Sequence, residues 1–348
     1  MTPKAAGASW KVCFDSLPKV SRTFALSISR LREPLRSQVC VSYLICRILD
    51  TIEDAPLLDT EKRRALILPF LEDLEDGRLP GKAVFGKHRT LIEKCASEND
   101  LELLMRTDDV IRAFSSLEPA AREAIFPWAK EMGEGMVLYS DRMGTGIKTI
   151  RTLKDLDEYC YYIAGTVGYM LTELFALNCP GIDGKLAAAL RKNANDFGLG
   201  LQKVNILKDV RDDLGRGWCF LPSKLLREGC LEVDDLGDEA NSLKAVEALK
   251  PLMRGLRGNL DKAFEYLVMI PEEEREVRLF LSTSLFFAGA TMSLIAKRSR
   301  YFLAGEKLKI SRLEVAAILL KLENRAGDNT ALEKFWKKTV SRFEEFLR

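Results

Sequence analysis

Residues 43–54 read Tyr-Leu-Ile-Cys-Arg-Ile-Leu-Asp-Thr-Ile-Glu-Asp, an apolar stretch with no Gly or Pro. Within it, Tyr43, Arg47, Asp50 and Asp54 follow one another at intervals of four, three and four residues. These intervals place side chains on one face of an α-helix. Burying a charged stripe in an apolar helix is costly unless the charges are used. The stretch therefore predicts a helix whose polar face lines a functional site.

A second acidic stretch, Asp209-Val210-Arg211-Asp212-Asp213, occurs later in the chain. On a helix, Gln202, Asn205, Asp209 and Asp213 share one stripe among apolar neighbours. If the two acidic stripes face each other, their carboxylates repel and need cations. Hard oxygen ligands suit Mg²⁺ that also binds phosphate oxygens of a substrate. For either stretch alone, a solvated surface remains an open interpretation.

Composition limits the other classes of function. The chain has 348 residues, of which 47% are hydrophobic and 30% charged, with a net charge of +2. Acidic and basic residues are interspersed, so we expect no nucleic-acid partner. Eight cysteines form no Cys-x-x-Cys pair and follow no secretory signal, which favours reduced thiols in a cytoplasmic protein. The single histidine, His88, is expected on the surface and cannot form a histidine metal site alone.

Apolar residues recur at spacings of three and four in long stretches, whereas period-two alternation is scarce. The clearest helical stretches are 60–76, 101–114, 185–213, 241–268 and 311–323. Breaks at Gly and Pro, including Pro119, Pro127 and Pro271, predict some ten helices. We predict an all-α fold and a single domain over residues 1–348. Residues 1–14 are expected to be a loose N-terminal segment, and residues 324–348 a C-terminal amphipathic helix.

Residues 279–296 contain no charge and reach the lower length limit of a membrane-spanning helix. Polar residues such as Ser282, Thr283 and Ser293 recur through them, so a buried core helix is the favoured interpretation. Alternatively, this small and apolar helix could form the wall of a pocket for long apolar chains. Since the sequence ends in a charged amphipathic stretch, we expect no C-terminal membrane anchor.

Four stretches, residues 21–24, 43–54, 159–168 and 198–222, resemble the squalene and phytoene synthase family in order and spacing, across about residues 15–300. The resemblance implies a helical bundle of the isoprenoid synthase type around a central prenyl pocket. It also implies that two molecules of farnesyl diphosphate bind through Mg²⁺. The metal ligands it implies are Asp50, Glu53 and Asp54, here called the first acidic motif, and Asn205, Asp209 and Asp213, the second.

The resemblance assigns further roles. Catalytic groups would be Tyr159, Arg47 and Tyr43. Contacts to the substrate would come from Ser21, Arg22, Phe24, Ala164, Gly168, Gln202, Lys208 and Arg216. NADPH would be bound by Arg22, Arg47, Lys307, Lys309 and Arg312. For Ala164 and Gly168, close helix packing and room for a prenyl chain are both open. The chain departs from the family at Trp218, where an arginine is common, and Arg216 lies two residues earlier.

Three functions remain open at this stage. The basic segment 297–315 favours a squalene synthase, which makes presqualene diphosphate and reduces it with NADPH. A phytoene or dehydrosqualene synthase would omit the reduction. A non-catalytic scaffold would have no reason to keep both acidic motifs. We expect a cytoplasmic monomer that contacts membranes only peripherally, for product release.

Overall fold

The computed structural model describes residues 3–55, 57–79, 85, 89–93, 96–142, 148–304 and 308–348. These residues are helical almost throughout, so the all-α prediction is confirmed. Their contacts group into two compact units, Met1–Arg142 with Tyr169–Pro180 and Met143–Gly168 with Gly181–Arg348. The single domain over the whole chain stays a prediction.

The first unit contains eight helices within the described ranges up to residue 142. They are α1 Pro3–Val20, α2 Arg22–Ile28, α3 Leu35–Glu53, α4 Thr60–Asp76, α5 Arg89–Glu93, α6 Glu98–Leu104, α7 Thr107–Ser115 and α8 Pro119–Arg142. Helix α3 packs against α1, α4, α6, α7 and α8. Because neighbours surround it, α3 is buried on most sides, as an apolar helix must be.

Helix α4 illustrates how local sequence sets the helix ends in this unit. Asp59 precedes α4, and its side chain accepts a hydrogen bond from the backbone N–H of Lys62. Gly77 follows the last turn with φ +65°, the left-handed conformation that glycine adopts without steric cost. The helix therefore spans the predicted stretch 60–76 from end to end.

The second unit has a two-residue parallel ladder between β1 Lys148–Thr149 and β2 Trp218–Cys219. Its helices are α9 Leu153–Cys160, α10 Thr166–Asn178, which continues into the first unit, α11 Gly184–Lys208, α12 Val210–Gly215, α13 Ser223–Glu228, α14 Ser242–Ala248, α15 Lys250–Met269, α16 Arg275–Lys297, α17 Arg312–Glu323 and α18 Asn329–Leu347. A π-helical turn, Tyr161–Gly165, joins α9 to α10, and 3₁₀ turns cover Asp234–Gly237, Glu239–Asn241 and Ser299–Tyr301. Helix α11 packs along α15, and α16 packs against α18.

The structure corrects several of the predicted helix boundaries. Pro127 was expected to end a helix, but it lies inside α8. Proline removes one backbone hydrogen bond, yet Ile125 and Ala129 beside it are fully buried, so packing keeps the helix continuous. The stretch 101–114 is divided between α6 and α7, and 241–268 between α14 and α15.

The N-terminal segment also differs from expectation. Residues 1–14 were expected to be loose, whereas α1 begins at Pro3 and buries Ser9 and Cys13. Ser9 donates a hydrogen bond to Asp109 of α7 at 2.9 Å. Contacts with distant residues therefore help to order this segment.

Helix α16 contains the uncharged stretch 279–296. Among the described residues it is the one helix long and apolar enough to span a membrane by length and composition, with mean hydropathy 1.7 in its most apolar window. Of that window, 67% is buried inside the protein. This burial agrees with the core helix expected from its recurring hydroxyl side chains.

Candidate active site

Helix α3 has the polar face that its spacing predicts. Between Gln38 and Asp54, every residue is buried except Tyr43, Arg47, Asp50 and Asp54. The backbone N–H of Asp54 donates to the carbonyl of Asp50 at 2.8 Å, so these acids lie one helical turn apart. One turn is a suitable spacing for two carboxylates that act on the same cation or substrate.

Arg47 is held by an acid that the sequence did not reveal. Its Nε donates to Asp100 Oδ1 at 2.8 Å and its Nη2 to Asp100 Oδ2 at 3.0 Å. Asp100 lies in the first turn of α6 and also accepts a hydrogen bond from Ser97 Oγ at 2.6 Å. Burial alone would lower the pKa of Arg47, but its hydrogen bonds with Asp100 outweigh that effect and raise it. The two-point contact fixes the guanidinium plane beside Asp50.

The start of α2 supplies the next layer of the site. Ser21 caps α2 by accepting the backbone N–H of Phe24, and it hydrogen-bonds the hydroxyl of Tyr43. The rings of Phe24 and Tyr43 lie 5.2 Å apart. Burial raises the pKa of Tyr43. Arg22 is exposed at the first turn of α2. The structure therefore brings Ser21, Phe24 and Tyr43 together.

The surroundings of Asp50 disfavour its negative charge. Burial, with repulsion from Asp54 and Asp100, raises the pKa of Asp50 to about 7 despite the attraction of Arg47. A carboxyl group in this position is stabilised as an anion when a cation approaches. Glu53 is oriented differently, since it is buried and its charge acts on Arg63.

The second acidic motif crosses a helix break. Helix α11 ends at Lys208 and α12 begins at Val210, because Asp209 takes a non-helical conformation with φ −105° and ψ 13°. Backbone hydrogen bonds from Asp209 to Asn205 at 2.9 Å and from Asp213 to Asp209 at 3.0 Å carry the stripe across the break. The three residues therefore stay on one face although the stretch 185–213 is not one helix.

The cations of the second motif come from the same segment. Lys208 Nζ lies 3.2 Å from Asn205 Oδ1 and 3.2 Å from Asp209 Oδ2. Arg216 Nη2 lies 2.5 Å from Asp213 Oδ1. Asp213 is buried and Asn205 exposed. Gln202, about one helical turn before Asn205, is half-buried.

The position that departs from the family pattern is part of an aromatic stack. Trp218 lies in β2, and its ring stacks on that of Phe220 with 5.5 Å between the ring centroids. The ring of Phe220 in turn stacks on that of Tyr159, with 4.9 Å between the centroids. Gly217, with φ +78°, makes the turn that leads from Arg216 into β2. Trp218 thus packs against the ring beside the predicted catalytic tyrosine, while Arg216 turns back to the acidic motif.

The small residues after Tyr159 lie against α11. A Cβ atom on Gly168 would lie 2.1 Å from the carbonyl oxygen of Ala194, and one on Gly198 would lie 2.2 Å from that of Ala164. Backbone meets backbone here, which explains why Gly168 is small. A contact of Ala164 or Gly168 with a prenyl chain stays a prediction.

Helix α9, which carries Tyr159, is tied to α11 through Lys203, a buried residue that the sequence did not single out. Its ammonium lies 2.6 Å from Asp157 Oδ1 and donates to Asn259 Oδ1 at 2.7 Å. Asn259 lies on α15. In the sequence, Lys203 is one polar residue next to Gln202 in an amphipathic helix, and nothing in that pattern predicts that it links three helices.

The basic C-terminal segment is described only in part. Lys309 and Arg312 are exposed, and Arg312 is the first residue of α17. Lys307 and His88 lie outside the described residues. Over the part of the chain that is described, no group of three or more His, Cys, Asp or Glu is arranged to hold a metal ion by itself.

Comparison with known proteins bears on this geometry. The squalene/phytoene synthase family matches residues 17–314. Squalene synthase of Schizosaccharomyces pombe is 30% identical over 299 residues, which are 85% of this chain and 62% of that protein. The chain therefore spans less than two thirds of that relative.

Solved structures extend the likeness to the fold. TcSQS in complex with a ligand is 29% identical, with a TM-score of 0.80 over 98% of this chain and 96% of that chain. A dehydrosqualene synthase with a bound ligand is 22% identical, with a TM-score of 0.67 over 92% of this chain and 97% of that one. At that lower identity the likeness concerns the fold alone.

Proposed function

Because the chain belongs to the squalene/phytoene synthase family, we propose that it is a squalene synthase. It would join two molecules of farnesyl diphosphate head to head into presqualene diphosphate and then reduce this product with NADPH to squalene. The observation that carries the proposal is the polar face of α3, where Tyr43, Arg47, Asp50 and Asp54 are the only residues between Gln38 and Asp54 that are not buried. The names of the more similar relatives support squalene over the unreduced products.

The donor chemistry fits Mg²⁺. Asp50 and Asp54 would hold the cation at the first motif, and Asn205, Asp209 and Asp213 at the second, with Glu53 a further candidate. Carboxylate and amide oxygens suit this hard cation, which keeps several waters and binds through one or two carboxylates plus phosphate oxygens. A cage of three or more acids is therefore not needed. When bound, Mg²⁺ would neutralise the charge that grows on the departing diphosphate.

The side chains of the first unit would handle the diphosphate and its departure. Arg47, fixed by Asp100, would present its remaining N–H groups to phosphate oxygens without reorienting. Ser21 would keep Tyr43 oriented through their hydrogen bond. Phe24, whose ring lies against that of Tyr43, would shield this part of the site from water. Excluding water matters because the carbocation formed when the diphosphate leaves would otherwise be hydrolysed.

In the second unit, Tyr159 would face the cationic stage of the reaction. Its ring is electron-rich on its face, so it can stabilise positive charge, and its hydroxyl can exchange a proton. The stack with Phe220 holds the ring in one orientation. Lys208 and Arg216 would contact a diphosphate, and Gln202 the same substrate.

NADPH would supply the hydride of the second half-reaction. Lys309 and Arg312 are exposed cations suited to its phosphate, with Arg22, Arg47 and Lys307 as further candidates. Replacing Lys309 and Arg312 with Ala should slow squalene formation at limiting NADPH and leave formation of presqualene diphosphate near the parent rate. Equal loss of both products would remove these residues from the reductant site.

The place of action proposed is the cytoplasm, with peripheral contact to a membrane as squalene is released. We propose a monomer with no nucleic-acid partner. Recovery of the chain only from the membrane fraction, with resistance to high-salt extraction, would contradict this part of the proposal.

Product analysis tests the proposed activity. The protein is incubated with farnesyl diphosphate and Mg²⁺, with and without NADPH, and the products are identified. We expect squalene with NADPH and presqualene diphosphate or an unreduced hydrocarbon without it. The same hydrocarbon in both reactions would replace this proposal with a dehydrosqualene or phytoene synthase. No turnover at all would favour a scaffold.

A further inference from the structure

The C-terminal end of α3 is held by a buried arginine from α4. Arg63 is fully buried. Its Nε donates to the carbonyl of Glu53 at 3.0 Å, and its Nη2 donates to the carbonyl of Ala55 at 2.7 Å. Its Nη1 donates to Ser140 Oγ at 3.0 Å. The last carbonyls of a helix have no partner within the helix, so a buried end requires donors from elsewhere.

The contacts of Arg63 lie on both sides of Asp54 in the sequence. The guanidinium binds the carbonyl of the residue before Asp54 and that of the residue after it. Asp54 itself is bonded through its backbone N–H to the carbonyl of Asp50. The backbone is therefore fixed on both sides of Asp54, which sets the direction of its side chain relative to Asp50.

The charge of Arg63 also acts on this end of the helix. Burial lowers the pKa of Arg63, and the charges of Glu53, Asp54 and Asp59 oppose that effect. The positive charge of Arg63 therefore attracts Glu53 and Asp54 at the end of α3. It has no exposed surface with which to contact a substrate directly.

We propose that Arg63 is a positioning residue of the first acidic motif, which sets the spacing of Asp50 and Asp54 and so the affinity for the divalent cation. The inference rests on the proposed function, since it needs these acids to bind a metal. Groups that orient metal ligands without touching the metal typically change its affinity by about 10- to 100-fold when they are replaced.

The second unit contains a matched control. Arg278 is also fully buried, and it donates to the backbone carbonyls of Ile270 and Ala326 and to the side chain of Asn329. Ile270 directly follows α15, and this helix carries none of the proposed ligands. Arg63 and Arg278 thus make the same kind of contact at two helix ends, of which one bears an acidic motif.

The experiment compares Arg63→Lys with Arg278→Lys. Lysine keeps the charge but loses the planar fork that reaches three acceptors. Thermal unfolding reports the structural cost of each change, and amide hydrogen exchange of residues 51–55 reports the order of the α3 terminus. Binding of Mn²⁺ in the presence of inorganic diphosphate, followed by electron paramagnetic resonance, reports the metal site without turnover.

We expect both variants to unfold at lower temperature. Only Arg63→Lys should speed exchange at 51–55, weaken Mn²⁺ binding by about tenfold or more, and raise the Mg²⁺ concentration needed for half-maximal turnover more than it lowers the maximal rate. If Arg63→Lys does not fold, Ser140→Ala, which removes the acceptor of Arg63 Nη1 and also a contact with Thr60 Oγ1, should shift Mn²⁺ binding in the same direction by about threefold, within the range of one lost hydrogen bond to Arg63.

Two results would overturn the inference in different ways. If the parent binds Mn²⁺ and the folded Arg63 or Ser140 variant binds it equally well, Arg63 is structural only and the proposed function stands. If the parent shows no binding that depends on Mn²⁺ and diphosphate, the proposed metal-dependent function fails, and the positioning role fails with it.

Discussion

The two acidic motifs are stabilised in different ways. The first lies at the end of an unbroken helix, and its partners come from distant parts of the chain: Asp100 holds Arg47, and Arg63 holds the helix terminus. The second crosses a helix break, and two of its partners, Lys208 and Arg216, lie within the same short segment. Tertiary contacts therefore hold the first motif, whereas ion pairs between near neighbours contribute to holding the second.

This difference suggests that the two motifs respond differently when a ligand binds. A motif fixed by buried, distant partners keeps its geometry before any ligand arrives, which favours preorganised charge stabilisation. A motif on a helix break with half-exposed cations can adjust as a ligand binds. Each of the following changes tests whether that contrast is real.

The largest effects are expected when either motif loses a ligand. Asp50→Asn and Asp209→Asn should each lower product formation by about 100-fold or more, because each removes charge needed to stabilise the leaving diphosphate. Helical content by circular dichroism should not change. Asp212→Asn, at an exposed acid outside both motifs, is the control and should retain activity. Near-normal turnover of either variant would remove that motif from the metal site.

A smaller effect is expected at the distant partner of Arg47. Asp100→Asn should lower the free energy of unfolding by about 1 to 3 kcal/mol, since it weakens a charged two-point hydrogen bond that is largely buried. Turnover should fall by about tenfold as Arg47 loses its orientation. Glu102→Gln, which weakens the exposed Lys19–Glu102 pair, is the matched control. Equal stability of the two variants would show that the first motif is not held as described.

The smallest effect is expected at a local partner of the second motif. Lys208→Ala should change the free energy of unfolding by about 0.5 kcal/mol or less, since half-exposed ion pairs between near neighbours contribute little. Chemical denaturation measures it. If the loss equalled that of Asp100→Asn, the contrast between the two motifs would be wrong.

The same contrast explains what the sequence could predict. Helical spacing identified the face of α3, because Tyr43, Arg47, Asp50 and Asp54 are related by the period of one helix. It also aligned Asn205, Asp209 and Asp213, and their backbone hydrogen bonds keep that alignment through the break. Properties set within a few residues are readable from one sequence.

The sequence did not predict the residues that hold α3 from other helices, Asp100 and Arg63. Neither Asp100, which lies three residues after Ser97, nor Arg63, which lies in the charged stretch 61–64, was singled out in the sequence. Their roles depend on which helices pack together, and hydrophobic periodicity does not specify that. The break at Asp209 was missed because no Gly or Pro marks it. Pro127, in contrast, marked a break that packing prevents.

Calorimetric titration with an unreactive thio analogue of farnesyl diphosphate tests the central claim, that both motifs bind diphosphate through a divalent cation. With Mg²⁺, we predict two molecules bound per chain of the parent and loss of about tenfold or more in affinity at one of the two sites in Asp50→Asn and in Asp209→Asn. Chelation of Mg²⁺ should abolish binding at both sites. Equal binding with and without Mg²⁺, or unchanged binding in both variants, would contradict the account.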